Sequence, residues 1–184
     1  ADGGIARFAW CELELSRGIQ SLRGLSSAAR KVWLSRDGNR LAALSDRWEL
    51  AVWELAPERL LFVFDTPMGV YADSAGGCFD AQGVRFAFAA GPEACLYDLK
   101  TGGILRRWGL SDGNADQLEY DAQGRLLLLR RERLEEAARS KRREWRLYAL
   151  AESQKPIPLF KQAQTNLFAQ QMLFQPGGAR FAVW

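Results

Sequence analysis

A weak internal repeat of about 45 residues runs through this chain. Each copy contains an apolar residue, a glycine turn, an arginine, an apolar stretch and then an aromatic residue. The turn glycines lie 45, 41 and 54 residues apart, at Gly38, Gly83, Gly124 and Gly178. A unit that recurs at this period indicates one supersecondary module placed side by side with its own copies.

Within each copy the apolar pattern changes about every five or six residues at a turn signal, which is typical of an antiparallel β-meander rather than of helices. In the first complete copy this pattern predicts strands at residues 31–34, 40–45, 49–54 and 60–64. The glycine between the first two strands supplies a positive φ at no steric cost. We therefore predict an all-β fold of four-stranded antiparallel units.

An aromatic residue follows each of the first three glycines, at Trp53, Tyr97 and Tyr148. In the second copy it opens the sequence Tyr97-Asp98-Leu99-Lys100-Thr101-Gly102. With these residues the chain resembles the WD40-type β-propeller family, whose blades commonly carry an aromatic, an acidic and an apolar residue and a Thr-Gly turn between the third and fourth strands. The resemblance implies a β-propeller in which the recurring aromatic residues pack one blade against the next.

The chain also departs from that family. It has no histidine, so the Gly-His dipeptide is absent, and only Trp53 with Glu54 comes near the Trp-Asp signature. The resemblance is therefore to a divergent WD40-like propeller, and it covers nearly the whole chain as one domain, 1–184. It implies about four blades' worth of strands, with half-blades at both ends: half-blade 5–23, blade 29–64, blade 76–108, blade 115–160 with a charged insertion at 130–145, and half-blade 167–184.

The two half-blades leave three arrangements of the ring open. The chain is a piece of a longer ring of about seven or eight blades, or two chains combine into one ring, or a single chain closes four blades by pairing its own termini. An open propeller exposes strand edges and the apolar face of a sheet, so self-association to complete the ring is one expectation.

The formal net charge of +3 comes from residues 130–145, which include seven basic and four acidic residues. The distance from glycine to aromatic residue is 24 in the third copy and 15 and 14 in the first two, so about ten residues are inserted between its second and third strands. In a propeller the turns between second and third strands share one face, and the resembling family commonly holds partners there. A solvated extension of the hairpin is the alternative interpretation of the insertion.

We predict that this face contacts an acidic protein surface through the insertion and through the corresponding turn of the first copy. Trp48 in that turn is of a residue type enriched at binding hot spots, although packing over the blade edge is an equal alternative for it. The candidate partner-binding residues are Asp46, Arg47, Trp48, Arg130, Arg131, Arg133, Lys141, Arg142 and Arg143.

The absence of histidine removes the commonest general base and the favoured neutral metal ligand. No Gly-rich dinucleotide or phosphate-binding motif occurs either. We therefore predict no catalytic, cofactor-binding or metal-binding residues, and a non-catalytic scaffold or assembly subunit that binds protein. The alternatives are a ligand-binding or catalytic propeller that uses carboxylates and arginines in a central channel, and nucleic-acid binding through the insertion, which its four carboxylates disfavour.

The longest apolar runs are five residues, such as residues 60–64, whereas a membrane helix needs about 20. The sequence therefore predicts no membrane span. The N-terminus carries no signal-peptide pattern, although a leader removed before Ala1 would be invisible. A cytoplasmic location is the resulting expectation.

Overall fold

The structure is a computed structural model that describes residues 22–66, 75–110, 114–121, 123–133, 143–150, 157–163, 172–174 and 181–183. The regular secondary structure of these residues consists entirely of β-strands. Twelve strands form three four-stranded antiparallel sheets, and two more form a hairpin. The predicted all-β antiparallel fold is therefore confirmed. The described residues contain no helix that is long and apolar enough to cross a membrane.

The first sheet is a meander whose four strands pair in chain order. It contains β1 (Ala29–Leu34), β2 (Arg40–Ser45), β3 (Glu49–Leu55) and β4 (Glu58–Asp65). These strands lie where the alternation of turn signals and apolar runs predicts them. The observed ends extend the predicted strands by at most two residues.

The second and third sheets repeat this order. The second contains β5 (Ala75–Phe79), β6 (Arg85–Ala90), β7 (Glu93–Asp98) and β8 (Ile104–Gly109), and the third contains β9 (Asn114–Tyr120), β10 (Leu126–Arg133), β11 (Arg143–Leu150) and β12 (Ile157–Ala163). β13 (Met172–Phe174) and β14 (Phe181–Val183) pair as the hairpin. Of the half-blade predicted at 5–23, residues 5–21 lie outside the described residues, and Leu22 and Arg23 are described but do not form a strand.

The turns between the first and second strands share one glycine hydrogen bond in three copies. In each, the glycine N–H donates to the carbonyl of the residue that opens the turn, at 3.0 Å, and the glycine has a φ of 71°, 68° or 75°. The pairs are Ser35–Gly38, Asp80–Gly83 and Asp121–Gly124. The predicted requirement for glycine is thus confirmed at these three turns, and Gly178 lies outside the described residues.

One apolar core lies between the first and second sheets, and another lies between the second and third. Side chains at successive positions of a strand point to opposite faces, so neighbouring residues of the second sheet enter different cores. Phe86 and Phe88 of β6 belong to the core between the first and second sheets, whereas Ala87 and Ala89 belong to the core between the second and third. Trp33 of β1 packs edge-on against Phe86, with 5.8 Å between ring centroids. The second sheet is therefore buried on both faces.

The recurring aromatic residues occupy equivalent places. Trp53, Tyr97 and Tyr148 are 3%, 5% and 8% exposed. Tyr97 packs in the core toward the first sheet, and Tyr148 packs in the core toward the second sheet. Trp53 lies on the face of the first sheet that points away from the second, where its Nε1 donates to the carbonyl of Arg23 at 2.8 Å. Each aromatic residue thus faces the copy, or the segment, that precedes its own sheet.

The sheets approach one another most closely at their first strands, where β1 contacts β5 and β5 contacts β9. The backbone of Gly76 lies so close to β9 that an added Cβ would be 2.8 Å from the nitrogen of Leu118 and 2.9 Å from the carbonyl carbon of Gln117. The first strands of the second and third sheets are therefore in close backbone contact.

The first and second sheets run in the same sense. Lys31, near the start of β1, donates from Nζ to the carbonyl of Ala75, at the start of β5, at 2.7 Å. Arg40 donates from its guanidinium to the carbonyl of Gly83, so the two glycine turns lie together. The connections β2–β3 and β6–β7 therefore share one end of these two sheets, the Trp48 end, and their glycine turns share the other, the glycine-turn end.

Candidate functional site

The β2–β3 turn at the Trp48 end is organised by one buried hydroxyl group. Ser45 is 1% exposed. Its Oγ accepts hydrogen bonds from the backbone N–H groups of Arg47, at 3.2 Å, and Glu49, at 3.1 Å. Its carbonyl accepts the N–H of Trp48 at 3.1 Å. The backbone N–H groups of three consecutive residues, Arg47 to Glu49, are thereby tied to Ser45.

Trp48 has a φ of 67°, in the left-handed region. That conformation costs a residue other than glycine roughly 1–2 kcal/mol, so neighbouring contacts must hold it. Thr66 supplies two of them, because its N–H and its Oγ1 both donate to the carbonyl of Trp48, at 3.1 and 2.6 Å. The indole is half-buried and packs on the core between the first and second sheets. Of the two interpretations of Trp48, its position therefore matches packing over the edge of the sheet.

Asp46 and Arg47 remain exposed at the tip of the turn. The carboxylate of Asp46 lies 3.4 Å from Nε of Arg30, and the backbone N–H of Asp46 donates to the carbonyl of Ala28. The N–H of Arg47 donates to Oγ of Ser27 at 3.2 Å. Within the part of the chain that the structure describes, the guanidinium of Arg47 makes no hydrogen bond or ion pair. The turn thus has a fixed backbone and presents one cation to solvent.

Glu49 joins the turn to the segment that precedes β1. Its Oε2 accepts hydrogen bonds from Oγ and N of Ser26 at 2.7 and 2.8 Å. The hydroxyl of Ser26 is the largest influence that lowers the pKa of Glu49, followed by the N–H of the same residue. An ionised Glu49 therefore anchors this segment against the turn at neutral pH.

The charged insertion of the third copy is an extension of a hairpin. β10 and β11 pair continuously from Leu126 with Leu150 to Arg133 with Arg143. The predicted alternative of an extended hairpin thus accounts for the described part of the insertion. Of the predicted contact residues, Lys141 and Arg142 lie outside the described residues.

Arg130 is separated from the other predicted contact residues. It is 1% exposed, and its guanidinium carbon lies 6.0 Å from the ring centroid of Tyr148. Leu126, Leu128 and Arg130 are spaced two residues apart on β10 and therefore share one face of the strand. Both leucines pack in the core toward the second sheet. Arg130 is therefore an interior residue, and its two-residue spacing from Leu126 and Leu128 is the sequence signal that indicates its burial.

The register gives the strand partners of the remaining described arginines. In the hairpin extension Arg131 is opposite Trp145 and Arg133 is opposite Arg143.

No group of three histidine, cysteine, aspartate or glutamate residues among the described residues is arranged to hold a metal ion. The sequence matches no known family profile, and it matches no curated protein.

Proposed function

We propose that the three sheets are blades of a divergent β-propeller, with the β13–β14 hairpin as half of a fourth. Three observations support this arrangement. In each glycine turn the glycine N–H donates to the carbonyl three residues before it. The recurring aromatic residues each face the copy or the segment that precedes their own sheet. The first strands of successive sheets are in contact, and the first two sheets run in the same sense. Radial packing of identical meanders has these three properties.

The function that follows is non-catalytic protein binding, with the chain acting as a scaffold or an assembly subunit. The single observation that carries it is the β2–β3 turn, whose backbone is fixed by Ser45 and Thr66 while Arg47 points to solvent. A preorganised turn binds with a smaller loss of conformational entropy than a mobile one. Strained backbone, as at Trp48, is also concentrated at binding sites.

The hairpin extension adds a pair of like charges. Like charges directly opposite each other on paired strands destabilise a sheet, and Arg133 lies opposite Arg143. An acidic protein surface that lies across both strands would offset this repulsion. The proposed partner is therefore an acidic protein surface, and a cytoplasmic location stays a prediction from the sequence.

Differential capture tests this function. The chain is immobilised, and proteins from its source cells are recovered on wild type, on Arg47→Glu, on Arg131→Glu and on Arg36→Glu. Arg36 is an exposed residue of the first glycine turn, at the end opposite Arg47. We expect at least one acidic protein whose recovery falls on Arg47→Glu and on Arg131→Glu but not on Arg36→Glu. Equal recovery of every captured protein on all four baits would contradict the proposal, and capture of nucleic acid in place of protein would replace it.

A further inference from the structure

A cleft of about 460 Å³ opens between the first and second sheets at the glycine-turn end, away from the surface proposed above. One wall is β4, and the other is formed by two turns of the second sheet. The N–H of Leu99 donates to the carbonyl of Val84 at 3.0 Å, which ties those two turns into one wall. The cleft volume falls within the roughly 300–1,000 Å³ that is typical of ligand pockets.

The floor of the cleft is apolar and its rim is basic. Leu61 and Phe62 are half-buried in the floor, and Val84 beside them is 46% exposed. None of the described residues that line the cleft is acidic. The complete lining is Arg40, Arg59, Leu60, Leu61, Phe62, Val84, Leu99 and Lys100.

The three cations of the rim differ in what they already bind. Arg40 donates to the carbonyl of Gly83, and Arg59 lies 2.9 Å from the carboxylate of Glu54 while its side chain stays 66% exposed. The ammonium group of Lys100 makes no hydrogen bond or ion pair with the described residues. Its backbone N–H donates to Oδ1 of Asp98 at 2.8 Å, so the turn holds Lys100 at the rim independently of its side chain.

The wall strand favours an extended ligand. β4 is eight residues long and, within the described part of the chain, pairs only with β3. An exposed strand edge with apolar side chains is a template onto which an extended peptide adds by backbone hydrogen bonds. A peptide in that position would turn alternate side chains into the cleft, where apolar ones would lie over Phe62 and acidic ones would reach Arg59 or Lys100.

We propose that this cleft binds an acidic peptide segment of a partner protein, extended along β4, with apolar residues in the floor and carboxylates at the basic rim. Charge complementarity selects the acidic residues, and the apolar floor selects the aliphatic or aromatic residues between them. The cleft would give the chain a second binding site, at the end opposite Arg47.

Fluorescence anisotropy tests this site with a short labelled peptide that contains Asp or Glu together with Leu or Phe at positions two residues apart. The control peptide carries Lys in place of each acidic residue. We expect the acidic peptide to bind the wild-type chain, and Lys100→Glu or Val84→Asp to weaken it by at least about tenfold. Arg36→Glu is the matched control, because Arg36 is an exposed cation at the same end that does not line the cleft.

Three results would overturn the proposal: no binding of the acidic peptide to wild type, equal binding of the lysine peptide, or unchanged binding by both cleft variants. Displacement of the peptide by a duplex DNA that binds Lys100→Glu more weakly than wild type would assign the cleft to nucleic acid instead. Arg47→Glu is expected to bind the peptide as wild type does. A failure of the cleft proposal is therefore distinguishable from a failure of the function proposed for the Trp48 end.

Discussion

At the scale of single residues, the first position of each glycine turn closes the turn through its side chain. Oγ of Ser35 and Oδ1 of Asp80 accept the N–H of the residue five positions later, at 2.9 and 3.0 Å. In the third copy Oδ1 of Asp121 accepts the N–H of Arg125, four positions later, at 2.8 Å. A short oxygen-bearing side chain is thus the common requirement, and the third turn is one residue shorter.

Replacement of Asp121 tests this role. Its side chain is 4% exposed, and it also accepts the N–H of Gln123 at 2.9 Å and Nε of Arg125 at 2.6 Å. We expect Asp121→Ala to lower the free energy of unfolding by about 2 kcal/mol, and Asp121→Asn, which keeps one acceptor oxygen, by about half as much. Urea denaturation measures both. Equal stability of wild type and the alanine variant would show that these bonds are not needed.

A second prediction at this scale concerns pH. The hydroxyl of Ser35, followed by the N–H of Asn39, holds the pKa of Asp37 at about 2, below its ordinary value of 3.8. Because the folded-state pKa is lowered, the ionised carboxylate stabilises the fold above pH 3.8, and this contribution is lost as the pH falls toward 2. We expect Ser35→Ala to raise the pKa of Asp37 toward 3.8, as measured by NMR titration of the carboxyl carbon. An unchanged pKa would remove the hydroxyl as the cause.

At the scale of strands, the spacing of sheets is set where β5 meets β9. Gly76 has no room for a side chain there, whereas an added Cβ at Gly109 of β8 would meet nothing within 4 Å. We expect Gly76→Ala to lower the free energy of unfolding by about 1–3 kcal/mol, because overpacking must shift backbone rather than a flexible side chain.

The matched variant for this prediction is Gly109→Ala, which makes the same chemical change in a strand without the close contact. It is expected to be neutral or slightly stabilising, since alanine restricts the unfolded chain. Urea midpoints of the two variants are compared with wild type. A Gly76→Ala variant as stable as Gly109→Ala would mean that β5 and β9 are not in contact.

The strands could be predicted from the sequence because their signals are local. Turn glycines such as Gly83 and the apolar runs between them fix a meander without any knowledge of neighbouring sheets. The burial of Arg130 differs from the sequence-based expectation, because the net charge of residues 130–145 groups it with the exposed cations of the insertion. Its position on β10, two residues from Leu128, instead directs it toward the second sheet. The left-handed backbone at Trp48 and the cleft beside Lys100 depend on contacts between distant segments, and no local pattern encodes them.

At the scale of the whole molecule, the first sheet exposes apolar side chains on a face whose equivalent in the second sheet is buried. Leu34 of β1 is opposite Leu41, as Phe79 of β5 is opposite Phe86. Phe79 is 9% exposed, but Leu34 is 60% exposed and its neighbour Val32 is 63% exposed. The equivalent position is thus buried against a preceding sheet in the second copy and is exposed in the first.

We expect this face to drive self-association when no other sheet covers it. Sedimentation velocity should give a mass that rises with concentration for wild type, and Val32→Lys should suppress the rise. Leu105→Lys is the control, because Leu105 is also 50% exposed but lies on β8. A monomer at every concentration would contradict this expectation. The mass reached by wild type also discriminates a two-chain ring from the other two arrangements.

The central claim is that repeated meanders converge at their first strands, and NMR measures this most directly. The account predicts a strong nuclear Overhauser effect between the Hα protons of Gly76 and the amide proton of Leu118, together with contacts between the rings of Trp33 and Phe86. Cross-strand effects within each sheet serve as the internal standard. If those are present and both inter-sheet contacts are absent, the sheets do not pack as described, and the radial arrangement is wrong.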